Sequence, residues 1–227
     1  MKIEINKYDI KAGLDSPVTL VFVSDLHDSE NAPIFEKIDA VAPDGVLVGG
    51  DFIHRGASCD RGLAFMDGIS KRYPTFAVLG NHEKWVPDIR ERLGETKVVL
   101  LDNADVKFCG LRIGGLTSGV WYGGIPDLKW LDEFSQKDGF KLLLSHHPEY
   151  FEKYIRNTSI DLTLSGHAHG GQWRLFGRGL YAPQQGLFPK YTSGLYENRL
   201  LVGRGIGNKV VVPRFNNRPE IIMLKVY

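Results

Sequence analysis

Five short apolar runs each break off into a polar segment rich in metal-binding side chains, and this pattern constrains the chain more than any other. Val18–Val23 ends in Ser24-Asp-Leu-His27, Gly45–Val48 in Gly49-Gly-Asp51, and Phe76–Leu79 in Gly80-Asn-His-Glu83. Leu142–Leu144 ends in Ser145-His-His-Pro148 and Asp161–Leu164 in Ser165-Gly-His-Ala-His169. Runs this short, and apolar almost throughout, read as strands buried on both faces. Helical spacings separate the first of them: Ile34, Ile38 and Val41 within Pro33–Val41, and Leu63, Met66 and Ile69 within Arg61–Tyr73. A third stripe, Leu128, Leu131 and Phe134, runs through Ile125–Lys137, with Pro126 near its start. Alternation of strand and helix predicts a layered α/β domain with parallel strands. Further on, Val106–Phe108 and Leu111–Ile113 flank Cys109-Gly110 as a hairpin, and Tyr191–Tyr196 and Leu200–Gly203 flank Glu197-Asn-Arg199 as another. Glu220–Tyr227 reads as a closing strand.

The length, 227 residues, suits one α/β domain spanning 1–227. Lys plus Arg total 28 and Asp plus Glu 27, a net charge of +1. That balance creates no overall field for nucleic acid, and none is expected as a partner. No apolar run approaches the roughly 18 residues of a membrane span, and Met1–Ile10 alternates polar and apolar residues without the apolar block of a signal peptide. A cytoplasmic location follows as the expectation, with peripheral membrane association as the alternative. Cys59 and Cys109 have neither metal-ligand nor redox-pair spacing and read as reduced, partly buried thiols.

Six of the seven histidines follow a buried apolar run, and in open α/β sheets ligands bind beyond the carboxyl ends of the strands. A lone Asp there is usually a turn former or helix cap, and a lone His usually a hydrogen-bonded core residue. His54 and His147 are read that way. For the other five histidines with Asp25, Asp51 and Asn81, that reading would need eight coincidences. The donors are nitrogen and oxygen without nearby thiolates, which suits zinc, iron, nickel or manganese and not calcium. Asp25, His27, Asp51, Asn81, His146, His167 and His169 exceed the roughly four ligands that one metal takes from protein. Two metals about 3.5–4 Å apart, sharing one carboxylate, would use them all. In an extended segment residues two apart share a side, so Asp25 and His27 are expected to grip together, as are His167 and His169. Ser24, Ser145 and Ser165 are expected to hydrogen-bond to nearby backbone or ligands. No Gly-x-Ser-x-Gly elbow is present to suggest a serine nucleophile.

Together, Asp25-Leu-His27, Gly50-Asp51, Gly80-Asn-His-Glu83, His146-His-Pro148 and Gly166-His-Ala-His169 resemble the calcineurin-like metallophosphoesterase superfamily in identity and order. The continuation through Gly170-Gly-Gln172, with Gly186-Leu-Phe-Pro-Lys-Tyr191 and Gly194-Leu-Tyr196, resembles its YaeI/YkuE-type phosphodiesterase branch. The resemblance implies a four-layer α/β/β/α sandwich, two mixed sheets flanked by helices. It also implies that Asp25, His27 and His169 hold one divalent ion, that Asn81, His146 and His167 hold the other, and that Asp51 bridges them. His82 would act over the phosphate as catalytic acid or charge stabiliser without binding metal. Of the two metals, manganese is the first expectation, with iron, zinc and nickel as alternatives.

The implied reaction is hydrolysis of a phosphodiester, or of a pyrophosphate linkage, in a small-molecule or lipid-linked substrate. A phosphomonoester phosphatase and a non-catalytic scaffold on the same fold are the alternatives; retention of His82 and of all seven ligands argues against the scaffold. Arg55, just past Asp51, and Trp173, Phe188 and Tyr191 in the Gly- and aromatic-rich stretch after His169 are candidate substrate contacts. The same aromatics serve equally well as core. Sequence leaves the oligomeric state open.

Overall fold

A computed structural model of the chain describes residues 2–56, 58–207 and 213–227, with the backbone alone at Tyr122. In chain order the strands are β1 (Glu4–Ile10), β2 (Val18–Val23), β3 (Gly45–Val48), β4 (Thr75–Ala77) and β5 (Val99–Leu100). Then come β6 (Ala104–Phe108), β7 (Leu111–Leu116), β8 (Phe140–Ser145), β9 (Leu162–Ser165), β10 (Arg174–Leu175), β11 (Arg178–Gly179), β12 (Tyr181–Ala182) and β13 (Gly186–Leu187). The last three are β14 (Gly194–Tyr196), β15 (Leu200–Val202) and β16 (Glu220–Val226). The α-helices are α1 (Ala32–Val41), α2 (Asp60–Ser70), α3 (Ile89–Gly94) and α4 (Leu128–Ser135).

Two six-stranded sheets organise these elements, in the orders β1-β16-β2-β3-β4-β5 and β14-β15-β9-β8-β7-β6. Strands β2 to β5 run parallel, as do β7, β8, β9 and β15. Antiparallel steps at β16–β2, β6–β7 and β14–β15 make both sheets mixed. Alternation along each strand explains the layering. Leu20 and Phe22 of β2 face a core shared with Leu142 and Leu144 of β8 and Leu162 and Leu164 of β9. Val21 and Val23, on the opposite face, pack with Ile34 and Ile38 of α1 and Phe65, Met66 and Ile69 of α2. On the outer face of the second sheet, Leu116, Leu143 and Val202 meet Leu131 and Phe134 of α4 and Phe151 and Ile155. The result is helix, sheet, sheet, helix. Each fully buried Leu, Ile, Val or Phe in these layers contributes about 1.5–3 kcal/mol.

Local chemistry sets several boundaries. Helix α4 starts three residues after Ile125 because the Asp127 side chain accepts from Trp130 N at 3.0 Å and caps it. The β6–β7 hairpin turns through Cys109 (φ 48°) and Gly110 (φ 82°), the paired left-handed geometry of a tight hairpin. That turn leaves the Cys109 thiol exposed, which corrects the expectation of two partly buried cysteines; Cys59 is buried, and neither is in a disulfide. Half-buried β1, whose alternating residues carry no strong strand signal, pairs parallel with β16 at the sheet edge. Among the described residues, no helix is long and apolar enough to cross a membrane.

Candidate metal centre

Strands β2, β3, β8 and β9 end on the same side of the two sheets, and the loops that leave them bring the expected side chains together. Asp25 Oδ1 lies 4.0 Å from His27 Nε2, 3.6 Å from His169 Nε2 and 3.9 Å from His146 Nε2. Asp51 Oδ2 is 3.2 Å from His146 Nε2 and 3.9 Å from His27 Nε2. Two pairs of imidazoles meet nitrogen to nitrogen: His27 Nε2 and His169 Nε2 at 3.2 Å, and His146 Nε2 and His167 Nδ1 at 3.2 Å. Asp25, His27 and His169 form one group able to hold a cation, and Asp51, His146 and His167 another, the donor atoms of each lying within 4.8 Å of one another. Asn81 Oδ1 is buried and has no hydrogen-bond partner among the described residues, as a ligand oxygen would be without its ion. Facing lone pairs, two buried carboxylates and an orphaned amide oxygen make a donor set that divalent cations fit.

Asp25 and His27 do share one cation group, but His167 and His169 fall in different groups, which corrects the expectation that they grip together, and neither pair is extended. Asp25 (φ 52°), His27 (φ 47°), Asp51 (φ 54°), His167 (φ 64°) and His169 (φ 47°) all have left-handed backbone rather than extended backbone. Such non-glycine conformations cost roughly 1–3 kcal/mol each and collect at functional sites. Neighbouring glycines make room. A Cβ on Gly80 would stand 2.2 Å from Asp51 Oδ1, and one on Gly166 would stand 2.4 Å from Asp25 Oδ2.

Hydrogen bonds aim the donors. Ile53 O lies 3.3 Å from His27 Nδ1 and Gly49 O lies 2.8 Å from His146 Nδ1, so each ring presents Nε2 inward. Asp25 accepts from Ser24 Oγ at 2.7 Å and from His167 N at 3.0 Å, so Ser24 does support a candidate ligand. The Ser145 and Ser165 hydroxyls, expected to bond likewise, have no partner among the described residues. His82 stands at the mouth, its Nε2 3.9 Å from Asp51 Oδ2 and its backbone N–H donating to Asp51 Oδ1 at 2.8 Å. Its Nδ1 accepts the backbone N–H of Arg55 at 3.0 Å, which leaves the proton of the neutral ring on Nε2, facing the cluster.

Burial holds His27 and His169 neutral, with pKa values near 3 despite the adjacent carboxylates, and it pushes His167 down as well. Burial acts the same way on His146, but Asp51 outweighs it and raises that ring to about 10. Asp51, which burial would raise, is in turn held well below the usual carboxylate range by His146. The metal-free cluster therefore contains one imidazolium–carboxylate pair. Coordination at His146 Nε2 must expel its proton, whereas His27 and His169 have none to lose. Metal loading near pH 7.5 is expected to release protons, and apparent affinity to rise with pH above neutrality. Calorimetry in buffers of different ionisation enthalpy measures the release; heats independent of the buffer would contradict it.

Sequence reasoning gave Glu83 no role, yet its buried carboxylate ties two of the loops together. Oε2 accepts from Asp51 N at 3.0 Å and Gly80 N at 2.7 Å, and Oε1 accepts from Ile53 N at 3.3 Å. Burial and the neighbouring Asp51 raise its pKa to about 8. Arg214 was also missed, because nothing in its spacing connects it to the strand ends. Its Nη2 lies 3.3 Å from His169 Nδ1 and donates to Gly207 O at 2.6 Å, while Nε and Nη1 are buried without partners among the described residues. His147 is a buried, bonded residue: Nε2 meets Ser118 Oγ at 2.6 Å and Nδ1 lies 3.2 Å from Glu149 Oε1.

The candidate substrate contacts divide. Trp173 lines an apolar cavity of about 450 Å³ with His169, Leu180, Tyr181, Pro183 and Leu187. Arg55 stays at the mouth, its guanidinium 5.3 Å from the centre of the Trp85 ring. Phe188 is exposed but lines other cavities, with Glu152, Lys153 and Lys190 in one and Arg178 in another. Tyr191 lines the first of these cavities with Phe188, though most of its ring is packed inward. It is only 2% exposed, packs edge-on to Phe151 and Tyr196, and bonds through its hydroxyl to Arg156 and Glu152.

The calcineurin-like phosphoesterase model matches residues 18–171, the span that carries all seven candidate ligands and His82. The chain belongs to the calcineurin-like phosphoesterase family. Within that family it is similar to phosphodiesterase YaeI of Escherichia coli (strain K12), at 33% identity covering 93% of this chain and 83% of that protein. It is similar also to UDP-2,3-diacylglucosamine pyrophosphatase LpxG of Chlamydia muridarum, at 24% identity covering 91% of this chain and 82% of that protein. An uncharacterised metallophosphoesterase of Campylobacter jejuni, Cj0846, is 27% identical over 90% of this chain, which spans 58% of that longer relative.

Proposed function

We propose that the chain is a two-metal phosphodiesterase that cleaves a phosphodiester or pyrophosphate linkage in a small-molecule or lipid-linked substrate. The observation that carries this reading is the position of Asp51 Oδ2, between His146 of one donor set and His27 of the other. Asp25, His27 and His169 are assigned to one ion, Asn81, His146 and His167 to the second, and Asp51 to both. A pair of divalent ions there supplies the charge that offsets phosphoryl oxygens and a water acidic enough to attack near neutral pH. Manganese is the proposed metal, and iron, zinc or nickel suit the same donors.

The chain's own residues do the rest. His82, whose Nε2–H is kept facing the site by the Arg55 N–H on its other nitrogen, donates a hydrogen bond to the leaving oxygen and offsets its developing charge. Arg214, which has no carboxylate partner among the described residues, adds a fixed positive charge beside His169. Ser24 and the His167 N–H hold Asp25 in place, and Glu83 holds the Asp51 loop against the Gly80 loop.

The cavity beside His169 supports a diester over a monoester, because a diester's second substituent needs a surface and a monoester's does not. Both characterised relatives named above carry diester or pyrophosphate chemistry in their names. With manganese saturating, kcat/KM for a nitrophenyl diester is expected to exceed that for the matching monoester. Leu187→Ser should raise KM roughly tenfold for a diester bearing an apolar substituent, by removing one buried aliphatic contact. A monoester preference would overturn the assignment, and an unchanged KM would take Leu187 out of the substrate site.

A further inference from the structure

Between β9 and β14 the chain displays exposed apolar side chains, and the proposed chemistry uses neither Phe176 nor Phe188. Phe176 is fully exposed at the β10–β11 turn, and Leu187 and Phe188, in and after β13, are 73% and 80% exposed. The two ribbons, two residues per strand, are too small to bury such side chains on their own. Both phenylalanines have left-handed backbone, φ 49° and 53°, a conformation uncommon for a bulky residue. Charge in the same segment has one sign. Residues 162–196 contain no Asp or Glu but carry Arg174, Arg178 and Lys190. Arg178 is exposed and has no ion-pair partner among the described residues, Arg174 donates to Gly170 O and Thr192 Oγ1, and Lys190 pairs with Glu152.

We propose that this face docks on a bilayer carrying anionic lipid, setting the His169 cavity at the membrane surface where a lipid-linked phosphoester enters it. Exposed aromatic and aliphatic tips beside the unpaired Arg178, in a segment whose own residues include no acid, complement an anionic headgroup layer over an apolar interior. Trp173 and Tyr181, half-exposed on the cavity, have the amphipathic rings that settle at headgroup depth. The docking deepens the activity proposed above, and only its consequence for substrate entry rests on that activity.

Sedimentation of the full chain with vesicles tests it. The chain is expected to partition onto phosphatidylcholine vesicles containing phosphatidylglycerol and only weakly onto phosphatidylcholine alone. Phe176→Ser should lower that partition roughly tenfold, and Arg178→Ala roughly fivefold. Both variants should hydrolyse a water-soluble nitrophenyl diester at the wild-type rate. No partition onto either vesicle, or equal partition of Phe176→Ser and wild type, would overturn the proposal. So would a dimer in sedimentation velocity that Phe176→Ser dissolves without any vesicle binding, because the face would then serve a second copy of the chain. Failed partition with intact diester hydrolysis counts against docking alone; partition without hydrolysis supports docking and counts against the activity.

Discussion

Asp51→Asn is expected to lower metal affinity by at least ~100-fold, the upper range for loss of even an outer-shell partner. Turnover should fall by more than the ~10²–10³-fold that removal of a single charge-stabilising donor brings. The substitution keeps the shape of the side chain, and its amide oxygen can still accept the His82 N–H that Asp51 Oδ1 takes at 2.8 Å. What it removes is the negative charge that lies between His27 and His146. Both donor sets lose their common anion at once, so the metal content of the variant should fall at both sites rather than by one equivalent. His146, left with Asp25 as its carboxylate neighbour, should have its pKa lowered, and the proton release on loading should shrink. Metal analysis, activity and buffer-dependent calorimetry read the three effects separately. Loss of only one equivalent, with the other site intact, would make Asp51 an ordinary ligand of a single ion.

His82→Ala is expected to behave in the opposite way, with metal content retained and kcat reduced about 10²–10³-fold. His82 lies 3.9 Å from Asp51 Oδ2, at the mouth, and the groups able to hold cations at the buried end of the site are complete without it. Its contribution is the Nε2–H hydrogen bond to the leaving oxygen, aimed by the Arg55 N–H. The loss should therefore shrink for substrates whose leaving oxygen carries its charge unaided, such as a nitrophenolate, and grow for an alkyl diester. Comparing the two substrates separates stabilisation of the leaving oxygen from mere positioning. An equal loss of metal and activity would make His82 a ligand or a structural residue instead.

How far the sequence foretold this arrangement depends on the scale at which each residue acts. The apolar runs before Ser24, Gly49 and Ser145 were legible as buried strands because burial on both faces is written into composition. Convergence of Asp25, His27, Asp51, His146, His167 and His169 was legible because parallel strands deliver their carboxyl ends to one edge. The left-handed backbone at five candidate ligands was not, since it is imposed by loops wedged against one another, with Gly80 and Gly166 yielding the space. Glu83 illustrates a second kind of gap. Its carboxylate is defined by three backbone N–H groups from residues 51, 53 and 80, partners that only the folded chain brings together. Tyr191 illustrates a third: in a segment rich in glycine, no periodicity tells an inward ring from an outward one, and burial against Phe151 and Tyr196 decided it.

Titrating the metal-stripped wild-type chain with manganese, while counting bound ions per chain at saturation, tests the central claim most directly. The account predicts about two equivalents, one for each donor set around Asp51. Saturation at a single equivalent, with full diesterase activity, would contradict it.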